Sequence, residues 1–77
     1  MEYKRSIRML FQRLSRSELS MKILTIDGRT IITHSIPRVN YNEEIRIDFP
    51  DDINSGLYIL QINSKDINYQ SKIMIKN

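Results

Sequence analysis

Reactive side chains gather in few places along this chain: one histidine, two pairs of adjacent carboxylates and a basic N-terminal stretch. His34 lies within the apolar run "TIITHSI", and no serine near it sits in an elbow motif. A nucleophilic triad needs a serine or cysteine beside a base that a carboxylate holds in place, so His34 reads as a partly exposed strand residue. The chain has no cysteine, which removes thiol nucleophiles, thiolate metal sites and disulfides together and leaves the redox compartment open. Glu43/Glu44 and Asp51/Asp52 have the residue types of a general acid and base, and Asp48, Asp51 and Asp52 those of weak calcium ligands. Both pairs fall in segments that read as turns, where carboxylates accept backbone N–H bonds. There is no phosphate-cradling loop. The expectation is a protein that is not an enzyme and uses no metal and no cofactor.

Twelve Lys/Arg oppose nine Asp/Glu, a net charge of +3. The excess comes from the start of the chain, where Lys4, Arg5, Arg8, Arg13, Arg16 and Lys22 face only Glu2 and Glu18. With Tyr3 and Phe11 among them, these residues could neutralise phosphates and stack on bases, but a solvated strand face explains the same residues and is the favoured reading. No run approaches the roughly 18 apolar residues that span a bilayer, so direct membrane insertion is not expected. The stretch is not a signal peptide either, because Arg8, Gln12 and Arg13 interrupt its apolar residues. If the protein acts outside the cytoplasm, a longer parent chain is expected to carry that signal.

The elements that must position these groups are short and β-like. A chain of 77 residues forms one domain with a thin core. "TIDGRT" separates two apolar runs, and Asp-Gly marks a hairpin. A three-residue loop with a bulge at Gly28 pairs Thr25 with Arg29, aligns Ile23 with Ile31 and keeps Met21, Ile23 and Ile31 on one face. "PRVNYNEE" (37–44) reads as a connection, and "EIRIDF" as a half-buried strand that Pro50 stops. Ile53 reads as a plug tucked back from the turn "DDINSG". Leu57 to Asn63 is apolar on both faces, the pattern of a central strand covered on both sides. Tyr69 to Lys76 alternates, with Ile73 and Ile75 inward and Lys72 and Lys76 outward. In residues 3–14 the periodicity fits a basic amphipathic helix and a strand alike; the antiparallel context favours the strand.

Three ordered stretches, "MKILTIDGRTI", "IRIDFPDDINSGLYILQIN" and "SKIMIKN", are similar to the C-terminal sorting domain of cargo proteins of the type IX (Por) secretion system of Bacteroidetes. The family's glycine turn falls on Gly28 and Arg29, its S-G-x-Y element on Ser55, Gly56 and Tyr58, and its closing lysines on Lys72 and Lys76. Two features depart from the pattern. No Pro-Asn-Pro element precedes the first strand, so either the chain starts just after it or that strand differs. Thr25 stands where the family commonly has Asp, which implies a differently stabilised turn.

The resemblance implies an immunoglobulin-like antiparallel β-sandwich of about six to seven strands, forming the single sorting domain of a longer secreted precursor. It also implies a non-enzymatic role. A cargo domain N-terminal to it in the parent chain crosses the periplasm and outer membrane through the type IX translocon, a sortase removes the tail, and the product is secreted or held at the cell surface. Gly28, Arg29, Ser55, Gly56 and Tyr58 then hold the fold. Lys72, Ile73, Met74, Ile75 and Lys76 form the candidate segment for translocon and sortase recognition, offering backbone groups to which a partner could add a strand. The same lysines would also discourage edge aggregation, and an isolated sandwich with open edges could dimerise or exchange a strand. Two other readings stay open: a small β-sandwich that binds a protein partner without being sorted, and a basic nucleic-acid-binding module. The resemblance itself implies no nucleic-acid partner.

Overall fold

The computed structural model describes residues 2–3, 5–11, 17–65 and 67–76, and among these there is no helix. Seven strands run in chain order as β1 (Glu2–Tyr3), β2 (Ser6–Phe11), β3 (Leu19–Thr25), β4 (Thr30–Ile36), β5 (Glu43–Asp48), β6 (Gly56–Asn63) and β7 (Asn68–Ile75). They form a five-stranded sheet of order β1-β7-β6-β3-β4 and a two-stranded sheet, β2-β5. All pairings are antiparallel except the short contact of β1 with β7. The fold is therefore an all-β sandwich, and the ambiguous N-terminal stretch contains a strand over Ser6–Phe11; the rest of its pattern, Gln12 to Leu14, lies outside the described residues.

Alternation along each strand builds the core. In β3, Leu19, Met21 and Ile23 are fully buried; in β6 Tyr58, Leu60 and Ile62 point the same way, and in β7 Ile73 and Ile75. Ile7 of β2 pairs with Ile47 of β5, and both pack into the same cluster from the opposite side. Two strands cannot cover five. Val39 and Ile53, both in connections, are buried plugs that complete the layer, as expected of Ile53. The row Tyr69, Ile62, Met21, His34 crosses the inner face, and its two ends are exposed because the small sheet covers only the middle.

The hairpin closes at its mouth as expected. Thr25 N–H donates to the Arg29 carbonyl (2.8 Å) and Gly28 N–H to the Thr25 carbonyl (2.9 Å), with Gly28 at φ +96°. Ile23, however, lies opposite Ile32 and not Ile31, because a second irregularity follows at Ile23/Leu24. One extra residue on β4 shifts the register while Ile31 and Ile32 both still pack against the core.

Three further expectations need correcting. Glu43 and Glu44 begin β5 instead of ending a loop. The turn chemistry foreseen for them survives at its edge, where Asn40 N–H donates to Glu43 Oε1 (3.0 Å) and Asn42 takes a φ of 60°. Strand β6 is central within its sheet but covered on one face only, since Leu57 is 44% exposed on the other. The closing strand β7 is not a bare edge: beyond β6 it also pairs with β1, Glu2 with Met74 and Tyr3 with Ile75.

Candidate recognition pole

The three motif stretches, separate in sequence, meet at one end of the sandwich. Thr25 registers with Tyr58, Gly56 with Ile75, Tyr3 with Ile75 and Ser6 with Asp48. The hairpin turn, the 49–55 loop and the end of β7 therefore share a pole. A shallow pocket of about 300 Å³ lies there, lined by Thr25, Arg29 and Ile31 from the hairpin and by Asp52, Asn54 and Tyr58 from the loop and β6.

Each wall of that pocket has a local cause. Thr25 Oγ1 accepts from Arg29 N–H (3.0 Å) and donates to Asp27 Oδ1, so one hydroxyl ties both ends of the turn. The Asp27 carboxyl is held below its ordinary value of 3.8, first by that hydroxyl, then by its own backbone N–H, with a smaller pull from Arg29. This is how the turn is stabilised with threonine in place of aspartate. On the other wall the Tyr58 ring is buried while its hydroxyl donates to the Asn54 carbonyl at 2.6 Å. Between them Gly56 takes φ +156°, a conformation that side-chain-bearing residues rarely adopt. The 49–55 loop is pinned by Ile53 N–H donating to the Pro50 carbonyl (3.2 Å) and by Phe49 N–H donating to the Arg5 carbonyl (2.7 Å).

The candidate recognition segment divides into two faces. Lys72 and Lys76 are exposed and Met74 is half-buried, whereas Ile73 and Ile75 are buried in the core. Gly28, Arg29 and Ser55 are exposed at the pole. Sequence reasoning missed Asp27 and Asn54. The signal for both was spacing: an acid two residues past Thr25, and a loop carbonyl four residues before Tyr58.

The alternative chemistries find less support. Among the described residues no three His, Asp or Glu side chains come together as a metal site, and Asp48 instead pairs with Arg46 (3.0 Å). His34 lies exposed on β4 opposite Met21. Among the described residues, Arg8 lies on the outer face of the small sheet and Lys22 on that of the large one, so these two share no face, while Lys4, Arg13 and Arg16 lie outside the described residues.

A family model described as the secretion system C-terminal sorting domain matches residues 5–76. No curated protein and no solved structure matches the chain. The match spans the glycine turn, the Ser-Gly-x-Tyr element and the closing lysines; the turn, that element and the end of β7 are what the fold gathers at one pole. Such domains mark proteins for secretion or display at the cell surface across the outer membrane, and theirs is not an enzyme family. The chain belongs to the type IX secretion C-terminal sorting domain family.

Proposed function

We propose that this domain is the address by which the type IX outer-membrane translocon takes up a cargo fused N-terminal to it, and that a sortase then removes it. The observation carrying this reading is the convergence of the family's separate motifs on one pole, with the closing segment anchored there by the Gly56–Ile75 pairing. A folded domain can present such a surface without any catalytic group of its own.

Within the closing segment the roles divide by burial. Ile73 and Ile75 hold the strand in place, and Lys72, Met74 and Lys76 present the features a partner reads. On the edge of β7 away from β6, backbone pairing among the described residues occurs only at Met74 and Ile75, so a partner strand could add along Asn68–Ile73. An immunoglobulin-like arrangement is supported by the Tyr58 hydroxyl reaching back to the carbonyl four residues upstream, as in the tyrosine corner of such sandwiches.

The test is a fusion of a signal peptide, a reporter and residues 1–77 in a host with this system. Appearance of the reporter outside the cell with the tail removed supports the reading; a reporter retained in the periplasm overturns it.

A further inference from the structure

We infer that the outward face of the five-stranded sheet, centred on Leu57, docks an apolar, carboxylate-rimmed surface of a protein in the secretion machinery. The inference rests on the sorting role proposed above and names the part of the domain that the machinery grips.

The core requires only every second residue of β6 to be apolar, and Tyr58, Leu60 and Ile62 supply it. Leu57 and Ile59 face the other way, where among the described residues no second layer stands. Register places Met74 directly beside Leu57, and Lys72 and Leu24 on either side of Ile59. Four apolar side chains are thus neighbours on one face, Leu57 exposed at 44% and the other three half-buried. The next row along the sheet is polar, with Gln61 between Gln70 and Lys22. An apolar centre inside a polar rim is the anatomy of a protein interface.

Charge selects the occupant. Lys72 and Lys22 border the apolar group. A second copy laid face to face would bring a second pair of lysines to the same apolar group, which disfavours self-association. A partner with carboxylates around an apolar patch pairs with both lysines while covering Leu57. The closing segment therefore contributes Lys72 and Met74 to a surface that continues across β6 to β3.

The export fusion described above tests this with Leu57→Glu and Leu57→Lys. Leu57 is exposed, so both variants keep the melting temperature of the parent. Leu57→Glu lowers exported reporter about tenfold, as expected when an anchor residue is lost and a like charge added, whereas Leu57→Lys lowers it only about threefold. Leu57→Glu exported as well as the parent overturns the inference, and so does Leu57→Lys failing as badly as Leu57→Glu. Sedimentation of the purified chain with phosphatidylglycerol vesicles, or a dimer that Leu57→Glu dissolves, would reassign the face to lipid or to a second copy and overturn it too. A parent fusion that stays in the periplasm refutes the sorting role, a different failure from any of these.

Discussion

Thr25 lies directly opposite Tyr58, the last register pair between β3 and β6. Its hydroxyl closes the hairpin turn onto Arg29 and Asp27, and the Tyr58 hydroxyl closes the following corner onto Asn54. Two turns about 30 residues apart in sequence are thereby locked side by side, and the pocket between them is the space these two closures leave.

Removing the Tyr58 hydroxyl should weaken the corner without emptying the core. Tyr58→Phe keeps the ring and loses one hydrogen bond of 2.6 Å to a backbone carbonyl. The expected loss is about 1 kcal/mol, or about 4–8 °C in melting temperature for a domain of this size. Thermal unfolding by circular dichroism checks it, and an unchanged melting temperature would show that the bond adds nothing net.

The hairpin should respond to acid. Asp27 has a depressed pKa, so its contribution to stability is present above the unfolded value of 3.8 and is lost as pH falls through the lower folded value. Between about pH 5 and pH 3 the wild type should lose more stability than Asp27→Asn, with the two curves parallel above that range. Thr25→Val should reduce the acid-linked loss and also lower stability at neutral pH by about 1 kcal/mol, since it removes the acceptor of Arg29 N–H. Urea unfolding at a series of pH values measures both effects.

Gly28→Ala should destabilise although nothing lies within 4 Å of the added methyl group. The cost is conformational, about 1 kcal/mol for placing a side chain at φ +96°. Equal stability of Gly28→Ala and wild type would mean that the turn relaxes to another type, which a shift in the Thr25 and Arg29 amide resonances would reveal.

Folding and recognition in the closing segment can be separated by choosing residues on its two faces. Ile75→Ala removes a fully buried side chain and should cost about 2–5 kcal/mol, enough to unfold much of a small domain. Its loss of export would carry no information about contact. Lys72→Glu with Lys76→Glu changes two exposed positions and should leave the melting temperature nearly unchanged while reducing export. Full export of that double variant would move recognition off the lysines.

Much of the fold was legible along the chain. Alternation of apolar residues in "EIRIDF" and "SKIMIKN", together with Asp27-Gly28 and Pro50, located strands β5 and β7, the hairpin turn and the end of β5, because side-chain period and backbone freedom are local properties. The ordered motifs placed the family as well. Tertiary structure decided what local pattern could not. Ile23 faces Ile32 because register answers to packing across the sheet as well as to the turn, and β6 shows an apolar outer face because the two-stranded sheet packs on the opposite face of its sheet. Thr25 beside Tyr58, and Gly56 beside Ile75, are long-range pairings that gather three sequence motifs at one pole. Periodicity tells which way each residue points; only the pairing of strands tells which residues it points beside.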